Sequence, residues 1–164
     1  MNAAMHSVPG INVPPPVIYV SAFLIGIGLN ILWLTSPMPT FWAFTIGTAL
    51  LIASILMMPP VLARFCRAGT PFDVRKAASA LITDGPYRFS RNPSYVSLTM
   101  LYMGLGAALN NAWILLLAVP ILFIMNLWVI RREERHLEEQ FGECYLEYKS
   151  TVRIKPRKAD YHKC

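Results

Sequence analysis

Every Lys, Arg, Asp and Glu of this chain falls in one of two stretches, residues 63–92 and 131–164, and the remainder contains four apolar runs without a formal charge. Few folds tolerate such segregation. Crossing about 30 Å of hydrocarbon takes about 20 apolar residues in a helix. Val17 to Leu34, Phe41 to Leu62, Ser94 to Leu109 and Ala112 to Ile130 are runs of this kind. Ser36-Pro37-Met38-Pro39 and Asn110-Asn111 supply tight turns inside the first and second pairs. The third run is short for a span, and its Gly104, Gly106, Ala107 and Ala108 suit a helix packed closely on its neighbours. Pro120 predicts a kink in the fourth.

Residues 1–16 are uncharged and end in Pro14-Pro15-Pro16, which reads as a flexible lead-in. No Lys or Arg precedes the first run, so a cleaved signal peptide is not expected. With four spans, the lead-in, the loop 63–93 and the tail 131–164 share one side of the membrane. All 15 basic residues then lie on that side, which the positive-inside rule makes cytoplasmic. A wrong number of spans would scatter them. The expected fold is therefore all-α: a polytopic membrane bundle of four transmembrane helices in two hairpins, plus a cytoplasmic interfacial helix, forming one domain over residues 1–164. A composition 55% hydrophobic and only 15% charged fits a bilayer rather than water as solvent.

The tail carries Ile130, Glu134, Leu137, Phe141, Tyr145 and Tyr148 at three- and four-residue steps, the spacing of one helix face. This predicts a helix lying along the membrane surface, with Gly142 as a break. Val152 to Lys158 is basic and suits anionic headgroups. The net charge of +6 is read as an orientation and membrane-surface signal. A nucleic-acid partner is not expected, because no long polar stretch interleaves basic and aromatic residues. Cys66, Cys144 and Cys164 form no CxxC and read as reduced thiols, and His136 and His162 read as surface residues without a ligand-spaced partner. No metal site is expected.

Two groups of residues carry candidate chemistry. Arg88, Arg91 and Asn92-Pro93 lead into the third run, where Asn is a favoured N-cap and Pro a favoured first helical residue. A helix N-terminus flanked by arginines suits a carboxylate or phosphate. The plainer reading is a cap with interfacial anchors. Glu133-Glu134 lies one turn past the fourth run, where carboxylates near apolar surface need a cation or a donor. Its plainer reading is a solvated helix start neutralised by Arg131, Arg132 and Arg135.

Taken in order, Gly85-Pro86-Tyr87, Arg91-Asn92-Pro93-Ser94-Tyr95, an uncharged hairpin, Glu133-Glu134 and Phe141-Gly142-Glu143-Cys144-Tyr145-Leu146-Glu147-Tyr148 resemble the isoprenylcysteine carboxyl methyltransferase and phospholipid methyltransferase superfamily. The resemblance covers about residues 69–157 and implies S-adenosylmethionine-dependent methyl transfer to a lipophilic membrane substrate, through a carboxylate, thiol or amine acceptor. It implies cofactor contacts at Leu81, Ile82, Tyr87, Asn92, Pro93, Ser94, Tyr95, Glu133 and Glu134, with Glu133 and Arg91 as the catalytic candidates. Arg91 and the helix N-terminus suit the methionyl carboxylate; Glu133 suits a ribose hydroxyl or the ammonium. Two positions depart from the pattern. Asn92 stands where many relatives have His, and Val129 stands where prenylcysteine enzymes have an Arg for the substrate carboxylate. Alternatives are an NADPH-dependent membrane reductase related to sterol reductases, or a non-catalytic membrane protein of this fold.

Overall fold

A computed structural model describes residues 13–69 and 81–154. The lead-in through residue 12, the loop segment 70–80 and the tail from residue 155, which includes most of the basic stretch ending at Lys158, lie outside the described residues. Among the described residues there is no strand. Helix α1 spans Pro15–Leu32 and α2 spans Thr40–Ala68, each entered through a proline that needs no amide partner. A short 3-10 turn, Gly85–Arg88, precedes α3, Pro93–Ala108. Helix α4, Ala112–Ile124, widens over Met125–Ile130 and continues without interruption as α5, Arg131–Phe141. Helix α6, Glu143–Ile154, ends the described chain.

Among the described residues three helical stretches are long and apolar enough to cross a membrane: Pro15–Leu32, Thr40–Ala68 and the continuous Ala112–Phe141. Helix α3, at 16 residues, rises about 24 Å, short of a hydrocarbon core of about 30 Å. Apolar side chains such as Leu24, Phe44, Leu56, Leu116 and Phe123 are exposed around the outside. Such a surface suits lipid, where helices satisfy their own backbone.

The structure changes the expected boundary of the second run. Apolar character there ends at Leu62, beyond Pro59-Pro60, yet α2 continues through both prolines to Ala68. A proline inside a helix costs about 3 kcal/mol, and packing offsets it. Val61 is completely buried against Tyr87, Tyr145 and Tyr148, and Arg64 one turn on pairs with Asp84. The helix stops at Gly69, whose φ of 59° makes the left-handed cap that glycine adopts without a Cβ penalty.

Of the two expected hairpins only the second has its helices packed together, α3 on α4. Helix α1 packs on α4 rather than on α2, and α2 packs along α3. Small residues decide this. A Cβ on Gly47 would lie 2.5 Å from the Ala108 backbone, and one on Gly26 would lie 2.6 Å from the Ile114 side chain. Only glycine permits backbones so close, and dispersion contacts then replace the hydrophobic drive that lipid does not supply. Between α2 and α3, Ser54 Oγ donates to Ser97 O at 2.8 Å and Ser97 Oγ donates to Ser54 O at 3.0 Å.

Uncharged polar groups close one end of the bundle. Asn110 Nδ2 donates to Met38 O at 2.7 Å, Ala112 N to Thr35 Oγ1 at 3.1 Å and Asn111 Nδ2 to Gly26 O at 3.3 Å. Asn111 also caps α4 by accepting from Ile114 N at 3.2 Å. The ion pairs gather at the opposite end, where α2 finishes, α3 begins and α4 passes into α5.

Pro120 lies inside α4, five residues ahead of the widened stretch, where Arg131 N–H reaches back to Asn126 O. Turns of this wider kind are often found near functional sites. Gly142, at φ 52°, separates α5 from α6 at the position expected for a break. Past that corner, Tyr145 and Tyr148 are buried at 1% and 2% exposure. Two expectations change: His136 is buried rather than on the surface, and Cys144 is disulfide-bonded rather than a reduced thiol, whereas Cys66 is free and exposed.

Candidate active site

Glu133 and Glu134 are neighbours in sequence but are turned about 100° apart by the helix, and they meet different partners. Tyr95, in the first turn of α3, donates its hydroxyl to Glu133 Oε2 at 2.9 Å. Among the described residues no cation pairs with Glu133. Burial, opposed by the Tyr95 hydrogen bond and reinforced by the charge of Glu134, pushes the Glu133 carboxyl up to about 7. It lies three residues past the apolar run, where water is scarce and desolvation dominates.

Glu134 is held as one member of an ion-pair chain. Arg91 Nη2 reaches its Oε1 at 3.0 Å and Lys149 Nζ its Oε2 at 3.1 Å. Lys149 also meets Glu138 Oε1 at 2.6 Å. The Glu138 hydrogen bond, more than the Glu134 contact, raises the Lys149 ammonium above the usual lysine range. Arg91 Nη1 is buried and has no hydrogen-bond partner. Such an orphaned donor is costly unless something accepts from it.

Aromatic residues form the floor. Tyr87 is buried in the 3-10 turn, and burial followed by the Glu133 charge pushes its phenol up, against the opposing effect of the Ser94 side chain. Tyr148 donates to the Tyr87 carbonyl at 2.8 Å, and Phe65 meets the Tyr87 ring edge-on. Leu81 and Ile82 pack partly buried against this cluster. Burial and the Glu134 charge push the Tyr145 phenol up as well.

The fold thus brings Arg91, Tyr95, Glu133 and Glu134 into direct contact in pairs, sets Tyr87 and Ser94 beside them, and places Leu81 and Ile82 below. Asn92 occupies the N-cap position of α3, but its side chain makes no cap hydrogen bond; only its carbonyl accepts, from Tyr95 N and Val96 N at 3.2 Å each. Pro93 is fully buried at the first helical position. Arg131, Arg132 and Arg135 are exposed, and the cations that neutralise Glu134 are Arg91 and Lys149. Lys149 escaped the reading of the sequence. Its only signal was a position one residue past the aromatic stripe that α6 buries.

Val129 is buried one turn before Glu133, among Tyr19, Tyr95, Tyr102 and Met125. No metal-holding group of His, Cys, Asp or Glu occurs among the described residues.

A helical bundle with a lipid-suited exterior and a polar cluster at one end fits an integral membrane protein. The chain belongs to the phospholipid methyltransferase family, whose model matches residues 42–144. That makes it a membrane methyltransferase in general terms. The match includes every residue of the Tyr95–Glu133 and Arg91–Glu134 pairs and stops short of Lys149. Comparison with curated proteins and with solved structures gives no match.

Proposed function

We propose that the protein transfers a methyl group from S-adenosylmethionine to a lipophilic acceptor at the charged end of the bundle. The carrying observation is the pairing of an uncompensated carboxyl, Glu133, with a buried unpartnered guanidinium nitrogen, Arg91 Nη1. An amino-acid-bearing cofactor has one group for each. Arg91 Nη1 and the start of α3 take the carboxylate, and Glu133 takes the ammonium or a ribose hydroxyl. The Asn92 amide, free of capping, offers further donors and acceptors, and Leu81, Ile82 and Tyr87 bound the adenosine side.

The cofactor supplies a methyl group on an electrophilic sulfonium. What the chain supplies is position and dryness: the aromatic cluster excludes water, and the paired helix ends fix both reactants, tasks that lower a transfer barrier through proximity. Buried Val129 offers no cation to a carboxylate acceptor, so an amine or thiol of a lipid is the better substrate. Family membership favours a phospholipid headgroup.

The topology belongs to this proposal. Helix α3 runs from the charged end, where Tyr95 meets Glu133, to the uncharged end, where Asn110 meets Met38. As the fourth crossing it puts loop and tail together on the cytoplasmic face, where a soluble cofactor arrives. The acceptor enters sideways from lipid.

Purified protein incubated with labelled S-adenosylmethionine and a total lipid extract should yield a labelled lipid. Titration with NADPH should show no binding. Equal S-adenosylmethionine affinity in wild type, Glu133→Gln and Asn92→Ala would argue strongly against the assignment.

A further inference from the structure

We infer that Lys149 is a positioning residue: by occupying one oxygen of Glu134 it keeps Arg91 from closing a two-pronged pair, and so leaves Arg91 Nη1 free for an incoming carboxylate. The inference rests on the cofactor reading given above and extends it to a residue outside the family match.

An arginine beside a carboxylate favours the fork-to-fork arrangement, two parallel N–H···O bonds, because it is the strongest geometry available to both groups. Here the fork is open. Arg91 Nη2 lies 3.0 Å from Glu134 Oε1 as an ion pair without hydrogen-bond alignment, so Glu134 Oε1 and Arg91 Nη1 both lack a hydrogen-bond partner, while Lys149 Nζ takes Oε2 at 3.1 Å. Lys149 is in turn held by Glu138 at 2.6 Å. The consequence is the buried, unpartnered Nη1.

The fold supplies this lysine by a separate device. Gly142 turns the chain, α6 docks through Tyr145 and Tyr148, and the hydroxyl of Tyr148 fixes the neighbouring residue to the Tyr87 carbonyl at 2.8 Å. Lys149 is thereby presented from a third helix to a pair formed by the start of α3 and α5. Removing its ammonium frees Glu134 Oε2, and Arg91 rotates to close the fork. The donor meant for ligand is then consumed internally.

The test compares two ligands of the full-length protein in nanodiscs by calorimetry. S-adenosylhomocysteine carries the amino-acid carboxylate, and 5′-methylthioadenosine lacks it. Lys149→Met should bind the first roughly 10- to 100-fold more weakly, the span of one lost charge-assisted hydrogen bond, and bind the second as wild type does. Retained binding of 5′-methylthioadenosine serves as the folding control, and Lys149→Gln repeats the measurement with a different neutral stem. Equal weakening for both ligands in both variants would make Lys149 a structural strut and overturn the inference, as would unchanged binding of both. Failure of wild-type protein to bind either ligand would instead overturn the cofactor reading on which it rests.

Discussion

Tyr95→Phe is the most informative single change, because it removes one hydroxyl and alters the ionisation of one carboxyl. The Tyr95 hydroxyl donates to Glu133 at 2.9 Å and stabilises the charged form, against burial that raises Glu133 from 4.5 to about 7. A hydrogen bond to a charged group is worth about 1.5–3 kcal/mol, which at roughly 1.4 kcal/mol per pH unit moves the midpoint up by roughly 1–2 units. The stability sign follows from proton counting. Between 4.5 and about 7 the folded protein binds a proton at Glu133 that the unfolded chain has released, so stability is full below the ordinary carboxyl range and falls as pH rises through the folded midpoint. That interval converts to about 3 kcal/mol at most. Infrared difference titration of the cofactor-free protein, with the protonated-carboxyl band assigned by its loss in Glu133→Gln, reads the midpoint directly. Thermal unfolding in nanodiscs from pH 5 to 8 reads the linkage. Wild type should weaken across that range and Glu133→Gln should not. A Tyr95→Phe midpoint at or below that of wild type, or parallel stability profiles for wild type and Glu133→Gln, would refute the reasoning.

Gly47→Val drives a side chain into the Ala108 backbone, 2.5 Å from the position its Cβ would take; overpacking of this kind costs about 1–3 kcal/mol and should appear as a lowered unfolding temperature. Asn111→Ala removes both the α4 cap at 3.2 Å and the bond to Gly26 O, a loss of about 1 kcal/mol or somewhat more, with ligand affinity unchanged because the residue lies at the far end of the bundle. Ser54→Ala and Ser97→Ala, measured singly and together, should be non-additive by at least 0.5 kcal/mol, since each hydroxyl donates to the other residue's carbonyl.

Much of this architecture is legible in the residues, and what is not has a common cause. Uncharged runs mark helices because a bilayer forbids unpaired charge, and Arg91, Tyr95 and Glu133 stood out through their motif spacing. A sequence period reveals that a helix has a face, though not what that face meets. Hence the paired prolines at 59 and 60 suggest an end that α2 ignores, since Val61 is buried by Tyr87 and by Tyr145 and Tyr148, the last two more than 80 positions further along the chain. The choice of α4 rather than α2 as partner for α1 depends on Gly26 accepting Ile114, a fit of shapes that hydropathy does not encode. His136 looks like part of a charged surface because its neighbours are, yet it is buried. Lys149 carries no pattern of its own, and its importance arises only when Gly142 and the α6 tyrosines bring it across.

The paired glutamates show how one helix turn divides two roles between like groups. Acid and base functions separate where environments push neighbouring carboxyls apart. Glu134 faces two cations, Arg91 and Lys149. Glu133 faces a tyrosine at the lipid boundary, has no cation among the described residues, and titrates near neutrality. A guanidinium beside Glu133 would neutralise it and lower its midpoint, leaving none of Glu133, Glu134 and Glu138 without a cation. The absence of Arg at position 129, where Val129 is buried instead, therefore does more than disfavour a carboxylate acceptor. Under the proposed function it leaves Glu133 open to the positive charge of the cofactor.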